Sequence, residues 1–144
     1  MKKNKINTEY CSILSKNNLK ITPARIKIFE LLSKSNTPLT ADMILCGIKD
    51  NSIDRVTVYR TIELLVELKI IGRVDLRGDS VHYELLDRHH HHIVCTNCGT
   101  LEDFESCKIK QVSKNILAKS KKFKIINDHS FELFGVCKSC TSSV

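Results

Sequence analysis

Glycine and proline are scarce in this chain, five and two in 144 residues, and the scarcity excludes a collagen-like or low-complexity polymer. Long hydrophobic runs are missing too: no stretch approaches the ~20 apolar residues that span a bilayer. The opening "MKKNKINTEYCSIL" is basic but lacks the apolar run of a secretory signal. There is no internal repeat and no linker-like tract. A His-Glu-x-x-His motif, a deaminase-type His-x-Glu followed by Pro-Cys-x-x-Cys, and an evident nucleophile–base pair are all absent, which weighs against a zinc enzyme. What remains is expected to be a soluble, cytoplasmic chain that neither enters a membrane nor turns over a small molecule. Its 42% apolar content suffices for one ordinary core or two small ones.

Two features are abundant. The formal charge is +7, shared by both halves, which permits nucleic-acid binding without proving it. Cysteine is the other, with seven residues. Four of them form two Cys-x-x-Cys pairs, Cys95 with Cys98 and Cys137 with Cys140, a pattern that favours metal over disulfides in a reducing compartment. Cys11 and Cys46 are expected to be small packing residues.

Hydrophobic periodicity divides the chain near Asp87. Residues 1–86 read as helices followed by a hairpin. Tyr10, Ile13 and Leu14 mark a first amphipathic stretch. Thr22-Pro23 supplies an N-cap with proline at the first helical position, ahead of Ile28, Leu31 and Leu32. Thr40 caps a third helix carrying Ala41, Ile44, Leu45 and Ile48. Asp54 caps a fourth, with Val58, Ile62, Leu65 and Leu68 in one stripe. After Gly72 the period becomes two, and "RVDL" and "VHYEL" joined by "RGDS" predict a hairpin.

Helices followed by a two-stranded wing outline a winged helix-turn-helix. The fourth helix is then the recognition helix, with Arg55, Thr57, Tyr59 and Arg60 at its N-terminal end to reach base edges. On composition alone, a solvated helix end is the alternative. In residues 87–144, "HHIVC", "TLEDF", "KFKII" and "SFELFGV" read as strands, and Ser106 to about Lys119 as a helix with Ile109, Val112, Ile116 and Leu117 on one side. The whole is an α+β protein: a winged helix-turn-helix and a small α/β domain.

The cysteine pairs give the strongest local signal. Two Cys-x-x-Cys turns supply the four thiolates of a closed tetrahedral zinc site, which is structural because it leaves no position for substrate. Since 38 residues separate Cys98 from Cys137, a folded unit must bring the pairs together. A redox pair is the rival reading.

The run "HHHH" at 89–92 is resolved by strand alternation. His90 and His92 share one face, where Glu84 and Asp103 are candidate carboxylate partners. His89 and His91 share the other, where His129 and an acid such as Glu105 can join, with Cys107 as a softer candidate. Mixed histidine–carboxylate sets suit Zn2+, Fe2+ or Mn2+ more than Ca2+. His82 reads as surface or packing.

"NLKITPAR" (18–25), "VTVYRTIELL" (56–65), "HHHHIVCTNCG" (89–99) and "HSFELFGVCKSC" (129–140) resemble, in the same order, the Fur family of bacterial metal-responsive repressors, which includes ferric-uptake, zinc-uptake and peroxide regulators. The resemblance implies a C-terminal dimerisation domain and repression by a metal-loaded homodimer on a double-stranded DNA operator. It implies that Lys20 is a minor-groove contact and that Tyr59 and Arg60 read bases. It assigns structural zinc to Cys95, Cys98, Cys137 and Cys140, a sensing site to Glu84, His90, His92 and Asp103, and an additional site to His89, His91 and His129. Two positions depart from the family. Pro38 stands where iron- and peroxide-sensing members supply a histidine before the third helix. Lys110 stands where the additional site has a glutamate, so Glu105 or Cys107 would substitute. The first departure leans towards regulatory zinc over iron. A zinc enzyme and a metal-storage scaffold are the competing classes.

Overall fold

The computed structural model describes residues 2–50, 52–105, 108–127 and 129–141, with side chains from Thr8 onward. The chain forms two compact units, Met1–Asp87 and Arg88–Val144.

In the first unit, helix α1 (Lys2–Lys16) ends in a turn where Asn18 takes a positive φ of 56° and the Leu19 N–H donates to the Leu14 carbonyl at 2.9 Å. Helix α2 (Pro23–Lys34) begins as the sequence predicts, with the Thr22 hydroxyl accepting from the Arg25 N–H. Strand β1 (Leu39–Thr40) runs directly into α3 (Ala41–Ile48), where Thr40 caps the Met43 N–H. Asp54 caps α4 (Arg55–Glu67) by accepting from the Thr57 N–H at 2.7 Å. Strands β2 (Ile71–Val74) and β3 (His82–Leu85) form the wing, in an antiparallel sheet of order β1-β3-β2.

The core of this unit lies between the helices and the wing. Leu14, Ile28, Phe29, Ile44, Val58, Ile62, Leu65 and Ile71 are fully buried. Tyr10 of α1 stacks on Phe29 of α2 with ring centroids 4.5 Å apart. Two strands differ from the sequence reading. Strand β2 starts earlier and stops sooner than "RVDL", because Ile71 and Val74 are its core positions and the Asp75 carboxylate then accepts from the Arg77 N–H, turning the chain. The short strand β1 was not expected; its two residues pair with Tyr83 and His82.

In the second unit, β4 (His91–Cys95) lies between β5 (Leu101–Phe104), antiparallel, and β6 (Glu132–Gly135), parallel. Helices α5 (Ile109–Lys119) and α6 (Lys138–Thr141) follow β5 and β6. Ser106, the expected start of α5, lies outside the described residues. Of the four apolar residues expected on one side of α5, Ile109 and Leu117 are half-buried and Val112 and Ile116 are exposed, and no residue of the helix is buried. "KFKII" is a further correction. It forms no strand and joins neither edge of the β5-β4-β6 sheet, and Phe123 and Ile125 stand exposed.

Ile28→Ala is expected to destabilise the first unit by ~2–5 kcal/mol, through lost transfer free energy and a residual cavity. Denaturant unfolding monitored by helical circular dichroism measures it. A midpoint equal to that of the unsubstituted chain would place Ile28 outside the core.

Candidate metal centres and nucleic-acid face

Three clusters of ligating side chains can be built from single residues upward, beginning with the cysteines. Cys95 ends β4, and the turn that follows is closed by the Gly99 N–H donating to the Cys95 carbonyl at 2.9 Å. Gly99 has a φ of 73°, which a glycine adopts without strain. Parallel pairing of β4 with β6 sets Cys95 opposite Gly135, and the Thr96 N–H donates to the Gly135 carbonyl, so Cys137 arrives beside Cys95. One sulfur from each of Cys95, Cys98, Cys137 and Cys140 lies within 4.8 Å of the others, and Cys98 Sγ is 3.6 Å from Cys137 Sγ. A zinc tetrahedron with Zn–S bonds of ~2.3 Å has edges of about 3.8 Å, so the spacing fits.

The electrostatics fit as well. Backbone N–H groups of Cys137 (3.2 Å) and Cys98 point at Cys95 Sγ and bring its thiol down to about 6. The thiol of Cys140 is pushed up to about 12, chiefly by its contacts with the Cys98 and Cys137 sulfurs. One sulfur ionises readily and another is held back by its neighbours, a conflict that a bound dication relieves.

The histidines separate onto two sides. His90 and His92 meet edge to face with centroids 4.9 Å apart. His92 is 2% exposed, and the β4–β5 register sets it opposite Asp103, whose Oδ1 lies 3.7 Å from His92 Nε2. Arg88 donates to the other oxygen, Asp103 Oδ2, at 2.6 Å. That bond leaves Oδ1 turned towards the imidazole, the arrangement by which an outer partner orients a ligating carboxylate. Glu84, the other carboxylate expected with this pair, lies half-buried on β3 of the wing, opposite Gly72.

On the other side His89, His91 and His129 gather with ligating nitrogens within 4.8 Å of one another. His91 is 5% exposed and packs against Phe104 and Phe131. Its Nε2 is buried with no hydrogen-bond partner among the described residues, a costly state for a polar atom unless it binds something. Burial first, and then the neighbouring His89 and His129, lower the His91 pKa, which favours the neutral, ligating form. Three imidazoles around an orphaned nitrogen suit Zn2+ or another borderline divalent ion.

Glu105, expected to complete this second set, is placed otherwise. Along β5 the residues alternate, so Phe104 faces His91 and Asp103 the His92 side, while Glu105, one residue past the strand, meets Arg88 beside Asp103. There Glu105 accepts from Arg88 at 3.2 Å. Cys107, its alternative, lies outside the described residues. Sequence reasoning missed Arg88, although its position immediately ahead of the histidine run was a signal.

In the first unit Arg55, Thr57, Tyr59 and Arg60 are all exposed on the N-terminal half of α4, and Lys20 is exposed in the α1–α2 turn. Arg55 is tied to Asp42 of α3 and lies over the Tyr59 ring. Asp42 carried no sequence signal. Pro38 is buried ahead of β1.

The first unit is a winged helix-turn-helix, and the second is an α/β unit with thiolate and imidazole clusters able to hold metal. Comparison with known proteins makes the assignment specific. Residues 16–134 match the ferric uptake regulator family. The chain is 35% identical to the ferric uptake regulation protein of Bacillus subtilis over 135 residues, covering 88% of this chain and 89% of that protein. It is 33% identical to the ferric uptake regulation protein of Campylobacter jejuni, covering 90% and 85%. Its fold matches the ferric uptake regulator of Helicobacter pylori, a protein with three functional metal-binding sites, at a TM-score of 0.73 and 27% identity over 96% of this chain and 93% of that one. The chain belongs to the ferric uptake regulator family, whose members are transcription regulators and not enzymes.

Cys137→Ser is expected to abolish the tightest-bound zinc, about one ion per chain, as a closed four-thiolate site requires all its ligands. Elemental analysis after mild chelation checks this. Unchanged zinc content would assign the ion elsewhere.

Proposed function

We propose that this protein is a metal-dependent transcriptional repressor that binds a near-palindromic operator as a homodimer when its histidine–carboxylate site is loaded. The observation that carries the proposal is the segregation of His90 and His92 from His89, His91 and His129, both groups separate from the four-cysteine cluster. A regulator needs one closed site that keeps the fold and at least one exchangeable site that reports metal, and these donor sets divide in that way. Bound metal shifts operator affinity by linkage: if it favours the DNA-binding arrangement of the dimer, DNA in turn tightens metal. Dimerisation is supported by the apolar Val112, Ile116, Phe123 and Ile125, which one chain leaves exposed, and two-fold symmetry carries over to the operator.

Within this reading His90, His92 and Asp103 are the sensing ligands, with Glu84 as the further carboxylate expected from the sequence. His89, His91 and His129 form the additional site, and Cys95, Cys98, Cys137 and Cys140 hold structural zinc. Zinc is favoured as the regulatory metal because Pro38 offers no ligand before α3. Regulation by ferrous iron is the second reading, and the ferric-uptake names of the Bacillus subtilis and Campylobacter jejuni relatives support it.

The test is DNA binding to the protein's own promoter, with exchangeable sites stripped and the four-cysteine metal retained. Zinc and anaerobic ferrous iron are titrated at buffered free concentration. Tightening by zinc at the lower free metal, lost in His90→Ala/His92→Ala and weakened in Glu84→Ala, is expected; selective tightening by iron would overturn the zinc assignment. Arg60→Ala is expected to cost ~1–3 kcal/mol of promoter binding and to relax preference at one base position. An unchanged sequence preference would remove Arg60 from the reading set.

A further inference from the structure

Asp42 is an acid on a surface that is read as meeting a polyanion. It lies in the first turn of α3, and its Oδ1 is the centre of a closed network with two residues of α4. Arg55 Nη2 donates to it at 2.8 Å and the Tyr59 hydroxyl donates to it at 3.1 Å. Arg55 Nη2 also donates to the Tyr59 oxygen at 3.3 Å, and the guanidinium carbon sits 5.4 Å from the Tyr59 ring centroid.

Stability does not explain the arrangement. Asp42 and Arg55 side chains are each 65% exposed, and ion pairs in that setting contribute little. Its charge also opposes phosphate approach and offsets one cation that would otherwise attract any DNA sequence. What the network does accomplish is geometric. It fixes the Tyr59 ring and hydroxyl in one orientation on the exposed end of α4, and it holds Arg55 against that ring. A side chain already fixed loses less freedom on binding, so more of its contact free energy is available to discriminate between bases.

We propose that Asp42 is a positioning residue that sets DNA sequence preference, holding Tyr59 and Arg55 in a reading geometry while suppressing sequence-independent attraction. The inference rests on the reading of α4 as the DNA-recognition helix. Asp42 touches no base in this account; it acts through Tyr59 and Arg55.

The test uses the full-length, metal-loaded protein with a promoter duplex and a scrambled duplex across a salt series, for the unsubstituted chain, Asp42→Ala and Asp42→Asn. Asp42→Ala is expected to lower the promoter-to-scrambled affinity ratio about 10-fold. Scrambled DNA binds more tightly, and its salt slope steepens by about one. Asp42→Asn retains an oxygen acceptor without the charge, so it tightens binding to both duplexes and keeps the ratio. A second readout needs no DNA: with fluorotyrosine incorporated, the Tyr59 fluorine resonance, assigned through Tyr59→Phe, is expected to shift in Asp42→Ala and hold in Asp42→Asn. Equal melting temperatures exclude a folding effect. An unchanged ratio in Asp42→Ala, an unmoved Tyr59 resonance, or equal loss in both variants would overturn the proposal. An unsubstituted protein that cannot tell promoter from scrambled DNA would instead overturn the recognition-helix reading, a result visible before any variant is compared.

Discussion

Side chains alternate across an extended strand, and in β4 the alternation governs the chemistry of the second unit. His91 and His92 are neighbours in sequence but face opposite ways. One meets Phe104 and Phe131; the other meets Asp103. Cys95, at the end of the same strand, belongs to the thiolate cluster. A single five-residue strand therefore supplies one side chain able to ligate metal to each of three clusters. A one-residue slip in its pairing with β5 would set Asp103 against His91 or Ile93 and bring Phe104 or Glu102 opposite His92, so the register decides which side chain meets the buried imidazole.

The first unit solves a different problem, which is to present one helix end without loosening it. Three side-chain caps, Thr22, Thr40 and Asp54, terminate the helices sharply, and the apolar faces behind them are buried. Because Asp54 satisfies the Thr57 N–H, α4 can begin at the surface with Arg55, Thr57, Tyr59 and Arg60 exposed. Its buried stripe of Val58, Ile62 and Leu65 holds the other face. A buried face and an exposed N-terminal end are thus produced by the same thirteen-residue helix.

What the sequence reveals follows the range of the interaction. Caps, the two Cys-x-x-Cys turns and the period of each helix are local, and the residues that make them are adjacent or nearly so. Strand β1 is two residues long, too short for a period to register, and exists because β3 offers it a partner. The "KFKII" run alternates as a strand should, but alternation does not supply a neighbour, and within one chain the run pairs with neither edge of the β5-β4-β6 sheet. Glu105 lies one residue past β5, and its bond with Arg88 joins positions 17 apart in sequence, so no local pattern announced it. Asp42 was beyond sequence reasoning, since it lies 17 positions from Tyr59 and meets it only through packing of α3 on α4.

The composition of the second unit's interior ties its folding to what it binds. Among the described residues of that unit, those buried are His91, His92, Val94 and Cys95. Three of these four carry a nitrogen or sulfur able to ligate metal. Val94 alone is an ordinary core residue, while Val112, Ile116, Phe123 and Ile125 remain outside. A unit of this size depends on added constraints when its apolar core is small. Burying imidazoles is unfavourable until their nitrogens are satisfied, and ordering four thiols at one point is unfavourable while their charges repel. Metal reverses both terms, and a second copy of the chain covering the exposed apolar side chains would add the missing burial. A metal ion and a second copy of the chain are thus the two additions that would supply the stability a larger domain obtains from its core.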